Sequence, residues 1–359
     1  MKITDIVVHR LSVPLPRPVR TARHDHARAD TVAVEMRADS GLVGSGYCFA
    51  FGPRKAAALA ALVEDFAELY RGRAAAPQAR FADAWRNMHF IGHSGLALMA
   101  LSALDTACWD VAARGADLPL FRFLGGDRTR VPTYASSGLW IDESVDELLL
   151  EAETFRVQGH RAMKMRIGRD DPEEDVERVR IVRDALGGDA ALLADVNQGW
   201  DETTTIRIGR RLESQGLYWL EEPLPYEDLA GYARVTAALD MRIATGETDY
   251  GSLGMKRQLE ARAADVLMPD LQRMGGPSEF MRAAALCQAW HQPVSSHLFT
   301  EASAHLLAAA PNGLILEHMN WWQDLFTEPL SIEEGCVVLS EKPGIGVELS
   351  QTALKRFRA

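Results

Sequence analysis

The chain has 359 residues, 47% of them apolar, and a formal net charge of -11, enough for a large core and more than one domain. The acidic balance excludes nucleic acid as a main partner, because phosphate contacts need a basic face. No apolar run approaches the ~18 residues of a membrane span and no signal-peptide core follows Met1, while Cys48, Cys108, Cys287 and Cys336 are scattered without CxxC spacing; the expectation is a cytoplasmic protein with reduced thiols and no membrane partner.

The first 50 residues read as strands. KITDIVVHRLSVPL and TVAVEMRADSGLVGSGYCFA alternate, with Asp39-Ser40-Gly41 as a turn signal. Between them TARHDHARAD reads as a polar loop. Residues 54–113 then read as helices, because RKAAALAALVEDFAELY and GLALMALSALDTACWDVAAR place apolar residues at helical spacing. Strands followed by helices suggest a separate α+β domain, with bounds at 1–125.

From about Val131 the pattern alternates. Strands are expected near 132–136, 161–166, 191–195, 217–221, 242–246, 264–269, 292–296 and 313–317. Helical segments fill the gaps; PEEDVERVRIVRDAL and PSEFMRAAALCQAW carry Pro just inside their starts. Eight strands separated by helices predict a closed parallel barrel, spanning 126–329. Residues 330–359 show no barrel register and are expected to return to the first domain.

Three of the predicted strands end on acids. AALLAD ends on Asp195, LYWLE on Glu221 and RIATGE on Glu247, and the interval between the first two equals that between the last two. A strand, loop and helix need about that much chain, since a βαβ unit runs to ~30 residues. The three carboxylates therefore converge at the C-terminal face, where barrel active sites lie. Such a cluster of oxygen ligands suits a hard divalent ion, Mg²⁺ first and Mn²⁺ second.

Lys164 and Arg166 are two apart in RAMKMRIG, so one strand face carries both cations beside Asp195. Asp270 and His297 end the next two strands after Glu247. An acid beside the imidazole raises its pKa and fixes its tautomer, which makes His297 a general acid or base. Glu317 ends GLILE on the eighth strand; held neutral, it could donate a hydrogen bond to an oxyanion. Metal, lysine and acid together can stabilise an enediolate, while a histidine across the cavity moves the α-proton.

Lys164-Met165-Arg166, Asp195-Val196-Asn197, Leu220-Glu221-Glu222-Pro223, Gly246-Glu247, Met268-Pro269-Asp270, Ser296-His297-Leu298-Phe299 and Leu316-Glu317 together resemble the enolase superfamily, and within it the mandelate racemase subgroup. The resemblance runs over nearly the whole chain. It implies an N-terminal α+β capping domain, a modified TIM barrel of the (β/α)₇β kind, and one Mg²⁺ held by Asp195, Glu221 and Glu247. It also implies the Asp270–His297 dyad as acid/base, Glu317 as enediolate donor, Lys164 on the substrate carboxylate, and a homo-oligomer. Asn197 matches a substrate-contacting position, and a strand-end cap would explain it equally.

Two departures shape the expected function. The racemase pattern is Lys-x-Lys, and Arg166 replaces the second base with a group that stays protonated. The lid reads Arg23-His24-Asp25-His26 where the racemase lid is apolar, so His24 and His26 are expected to bind hydroxyls of a small anionic polyhydroxylated substrate. The reading is a Mg²⁺-dependent dehydratase of an aldonate or aldarate, giving a 2-keto-3-deoxy acid. The alternatives are a racemase or epimerase of a 2-hydroxy acid, and a metal- or ligand-binding homologue without turnover.

Overall fold

The computed structural model describes residues 1–23 and 25–359. β1 (Ile3–Arg20), β2 (Asp25–Ala38) and β3 (Val43–Ala50) form an antiparallel sheet in that order. The polar stretch 21–30 is not the loop its composition suggests. From Asp25 onward it belongs to β2, and the ladder with β1 runs out to Arg20 opposite Asp25. The arm is polar because most of its side chains face solvent, and Arg28 donates across it to the Ser12 hydroxyl and carbonyl. An irregularity between Pro14 and Val19 marks where the arm leaves the body of the sheet.

α1 (Pro53–Ala67), α2 (Pro77–Asn87), α3 (Leu96–Gly115) and the short α4 (Leu120–Phe123) follow. α3 lies across the sheet so closely that side chains cannot intervene. A Cβ on Gly46 would meet the Ala103 carbonyl at 2.1 Å, and one on Gly44 the Ala107 carbonyl at 2.2 Å. Among the described residues α3 alone has the length and apolarity of a membrane span, and it is almost wholly buried in this layer.

The barrel strands are β4 (Arg130–Ala135), β5 (Ala162–Arg166), β6 (Ala191–Asp195), β7 (Leu220–Glu221), β8 (Ile243–Thr245) and β9 (Val266–Leu267), each hydrogen-bonded in parallel to the next. Each is followed by a helix: α5 (Val145–Val157), α6 (Pro172–Leu186), α7 (Glu202–Glu213), α8 (Leu229–Ala238), α9 (Gly251–Ala261) and α10 (Pro277–Ala289). The strand expected at 292–296 is reduced to single bridges, Val294 to Leu267 and Gly313, and His297 to Asp270. Pro293 has no N–H to give the ladder, and the Ser295 hydroxyl bonds the Ile315 carbonyl at 2.7 Å. This segment leads into α11 (Thr300–Ala309), and β10 (Leu316–His318) pairs with β4 and closes a (β/α)₇β barrel. Tyr134, Leu193, Trp219, Met268 and Ile315 fill its interior, while Met163, Met165, Leu192 and Ala194 face the surrounding helices.

The last residues do keep some barrel register. β11 (Ser331–Glu333) and β12 (Cys336–Val338) form a hairpin, and β12 runs antiparallel along Arg130–Pro132. β10 takes the other half of β4, Thr133–Ala135, so each uses only part of that strand. After α12 (Gln351–Arg356) the chain reaches β1: Ser12 N donates to the Phe357 carbonyl at 2.8 Å, and Ala359 N to that of Arg10 at 2.9 Å.

Candidate active site

The strand register delivers the ionic residues to one place. Arg166 pairs with Asp195, and Asp195 with Glu221, across β5, β6 and β7. Lys164 stands among the acids, its Nζ 2.5 Å from Glu221 Oε1, 2.9 Å from Glu317 Oε1 and 3.3 Å from Asp195 Oδ2. All four side chains are at most 2% exposed. Burial alone would strip the ammonium of its proton; Glu221 and Glu317 outweigh it and hold the Lys164 pKa well above the usual lysine range. Burial pushes the Glu221 carboxyl up, Lys164 opposes the rise, and Asp195 and Glu247 add to it. Trp219 Nε1 donates to the second Glu221 oxygen at 2.9 Å.

Glu247 lies just beyond β8, after Gly246, whose φ of 115° only glycine adopts without strain. The His297 ring joins Glu247 to Asp270. Its Nδ1 is 2.6 Å from Asp270 Oδ2, and its Nε2 is 3.5 Å from Glu247 Oε1. Burial lowers the imidazole pKa, but Glu247 and the Asp270 hydrogen bond more than reverse this and bring it to about 9. Asp270 is fully buried and also accepts from Arg273 N at 2.7 Å.

Glu317 differs from its expected role. Ser136 Oγ donates to it at 2.6 Å and Leu298 N at 2.7 Å, beside the Lys164 contact. Burial favours the neutral acid, yet Lys164, His297 and Arg166 override it and keep the carboxyl well below the carboxylate range. Here Glu317 accepts from the Ser136 hydroxyl and the Leu298 N–H, beside the Lys164 ammonium. Arg166 is also placed otherwise than expected. Its two Nη atoms bond the Ser136 and Gly138 carbonyls and the Ser136 hydroxyl, at 2.5, 3.1 and 2.7 Å. The guanidinium lies under the Trp140 ring at 4.3 Å, and its Nε is 4.0 Å from Asp195. Its main partners are the β4–α5 loop, which it pins.

Asn197 caps Asp195 through its backbone N at 2.8 Å and its Nδ2 at 3.1 Å, and its amide oxygen keeps no partner. Arg23 is exposed and donates to the Gln198 carbonyl at 2.6 Å, Asp25 is exposed, and His26 stacks on Phe51 at 4.0 Å. His24 lies outside the described residues. The cavity, about 90 Å³, is lined by the polar and charged side chains of Thr21, Lys164, Arg166, Asp195, Asn197, Glu247, Gln272, Arg273, His297 and Glu317, and by Val19, Phe49, Phe51, Trp140, Leu298, Met319 and Trp321. Glu221 is not in the lining and sits beneath Lys164.

Several of these residues escaped the sequence reading. Ser136, Gln272 and Arg273 lie in loops that follow barrel strands, where strand-end position was the available signal. Glu222 adjoins Glu221 in a motif already singled out. It is buried at a φ of 36°, with one oxygen unpartnered, and burial followed by Glu247 raises it to about 8.

Whether such a site suits a divalent ion can be judged from its donors. Asp195, Glu221, Glu247 and Glu317 outnumber the single ammonium between them, and every donor is a hard oxygen. Among the described residues no three such side chains close on one point. An ion bound there would compete with Lys164 for Glu221, and the charge excess favours it.

Residues 3–125 match a family model described as Mandelate racemase / muconate lactonizing enzyme, N-terminal domain, and residues 147–353 match one described as Enolase C-terminal domain-like. The chain is similar to the L-talarate/galactarate dehydratase of Salmonella typhimurium, 37% identical over 263 residues that cover 73% of this chain and 66% of that protein. It is also similar to the D-galactarolactone cycloisomerase of Agrobacterium fabrum, 33% identical over 379 residues, with 100% of this chain and 99% of that protein covered. A crystal structure of the Salmonella dehydratase, liganded with Mg and L-lyxarohydroxamate, superposes with a TM-score of 0.96 at 31% identity, covering 100% of this chain and 93% of that one.

Proposed function

From the premise that the chain belongs to the enolase superfamily, in its mandelate racemase subgroup, we propose that it is a Mg²⁺-dependent acid-sugar dehydratase. The observation that carries this reading is His297, 2.6 Å from the buried Asp270 and lining the same cavity as Lys164, Asp195 and Glu247. Asp195, Glu221 and Glu247 would hold Mg²⁺, with Mn²⁺ as a substitute. When bound, the ion supplies positive charge against the charge that develops on the substrate carboxylate.

The chain's own groups define the proton transfers. Lys164, between Asp195, Glu221 and Glu317, is placed to hold a carboxylate. Arg166 stays protonated and is engaged with the β4–α5 loop. That leaves His297, whose Nδ1 faces Asp270 and whose Nε2 is available to substrate. With an imidazole pKa of about 9, His297 in its neutral form takes the α-proton on Nε2 and returns it to the departing β-hydroxyl, or in its charged form protonates that hydroxyl while Lys164 or another group takes the α-proton. The resulting enol tautomerises to a 2-keto-3-deoxy acid. A racemase needs a proton donor and acceptor on both faces of one carbon; Arg166 stays protonated, so Lys164 would have to serve opposite His297.

A second reading is a cycloisomerase that opens a lactone. It is supported by the relative matched over its whole length, and by the single acid/base, since a carboxylate leaving group needs no acid. The Mg²⁺-loaded protein should be incubated with acid sugars and their lactones. A 2-keto acid lighter than its substrate by one water supports the dehydratase, and an isomer of equal mass supports the second reading. Solvent deuterium at the α-carbon without product means proton transfer alone. Thermal shift by ligand with none of these means a binder.

A further inference from the structure

The capping domain touches the barrel just after each member of the acid/base pair. On α3, Asp105 and Trp109 are four residues apart and share a face. That face meets the start of α10, where Ser278 N donates to Asp105 Oδ2 at 2.8 Å and Ser278 Oγ to Asp105 Oδ1 at 2.9 Å. Trp109 Nε1 donates to the same hydroxyl at 2.9 Å. The residue before α10 is Gly276, which has no side chain to cap the helix. Asp105 supplies that cap from the other domain. Gly276 also leaves room for it, since a Cβ there would meet the Asp105 Cβ at 2.6 Å.

The turn that leads into α10 begins at Asp270 and is closed on itself. Met274 N donates to the Asp270 carbonyl at 2.8 Å, and Gly276 N to that of Leu271 at 2.9 Å. A shift at Gly276 is therefore passed back to Asp270. Gln272, in the same turn, accepts from Phe49 N of β3 at 3.1 Å.

His297 is held in a parallel way. Leu298 and Phe299 follow it at φ of 51° and 50°, a region that bulky residues keep only where their surroundings impose it. Tyr47 of β3 packs on the Phe299 ring at 5.0 Å, and its hydroxyl donates to Glu301 Oε2 at 2.8 Å in the first turn of α11. Phe49 meets the same ring at 6.0 Å. Tyr47, Asp105, Ser278 and Glu301 are all buried, so losing a partner leaves a polar group unpaired.

Resting on His297 as the acid/base of the reading above, we propose that the capping domain positions the pair: Asp105 fixes Asp270 through the start of α10, and Tyr47 with Glu301 fixes His297 through the start of α11. Tyr47, Asp105 and Glu301 stand outside the cavity lining and act through the turns they hold.

The first test uses the whole Mg²⁺-loaded protein and needs no substrate. The proton between His297 Nδ1 and Asp270 should give a low-field imidazole resonance in the proton NMR spectrum, absent from His297→Asn. Asp105→Ala and Tyr47→Phe should each lose it or speed its exchange with water. Burial raises the Asp105 carboxyl to about 7 against the pull of its Ser278 donors, so an uncharged acceptor should serve there and Asp105→Asn should keep the resonance. Tyr47→Phe retains the ring, so it carries the test if Asp105→Ala fails to fold. With an acid sugar that the parent turns over, both variants should lower kcat about tenfold or more, toward the ~10²-fold of a ~1 Å misplacement, with KM near the parent's. A resonance that either variant leaves unchanged, or a loss that Asp105→Asn shares, overturns the proposal. So does a parent without the resonance, or an effect confined to KM and melting temperature. If no acid sugar is turned over, the dehydratase reading falls and the resonance alone decides the positioning.

Discussion

Asp195, Glu247 and His297 reach the cavity from strand ends that one closed barrel brings round, whereas Phe49, Phe51, Trp140 and Trp321 arrive from the end of β3, the β4–α5 loop and a turn after β10. The first group is tied together by charge in a buried space, so each member's state depends on the others. The second group is held by ring contacts and one backbone hydrogen bond, each replaceable by itself. The floor should therefore fail as a unit when one part is removed, and the roof should change by degrees.

The largest effect should come from the floor. Thorough removal of divalent metal should abolish turnover, and Mg²⁺ or Mn²⁺ should restore it. Glu221→Gln should match the stripped protein even with Mg²⁺ present, because one of the charges needed to hold the ion is gone. Full product formation by a sample that metal analysis finds empty would break the comparison at its base. Next, His297→Asn should lower kcat by ~10²–10⁴-fold, the usual weight of a positioned acid/base. A circular-dichroism melt close to the parent's would show that the loss is chemical.

Arg166 sits where floor and roof meet, and its variants sharpen the contrast. Arg166→Met leaves the Ser136 and Gly138 carbonyls without their donor, at about 1–3 kcal/mol for each unsatisfied group. It should lose most of its activity and melt lower. Arg166→Lys should keep measurable turnover, because charge persists, and should fall short of the parent because lysine lacks the planar fork. Equal activity of the Met variant would mean that the loop holds itself. The smallest effect belongs to the roof. His26→Ala removes the ring behind Phe51 and should cost about 0.5–1.5 kcal/mol in kcat/KM, the range for a stacked pair. An unchanged kcat/KM would mean that Phe51 needs no backing.

The same division decides what could be read from the sequence. The floor was legible because each barrel strand carries its acid or base at the same place, the last residue of an apolar run, and the βα period repeats. Even there, identity did not give protonation state. Glu317 was expected neutral, and it is held charged by Lys164 and by the Ser136 and Leu298 donors, none of which lies near it in sequence. The roof had no such period. Arg23-His24-Asp25-His26 looked like a polar lining because composition alone cannot say which way an exposed arm turns. The pairing of Arg20 with Asp25 puts Asp25 and His26 on a ribbon, and His26 meets the cavity lining through Phe51. The strand expected at 292–296 is reduced for a local reason: Pro293 has no N–H for the ladder, and of its neighbours only Val294 is apolar.

The bonds from Ser12 to Phe357 and from Ala359 to Arg10 bear on how the molecule is made. β1 is an outer strand of its sheet, and its far end carries the arm over the cavity. On the ribosome the first residues emerge long before residues 357–359, and early domains tend to fold as they appear. Until those last residues arrive, this stretch of β1 lacks its neighbour and remains open to other strands. This stretch of β1, translated long before residue 357, is thus secured only once that residue arrives, and nascent chains stalled short of it should be more prone to associate through that edge.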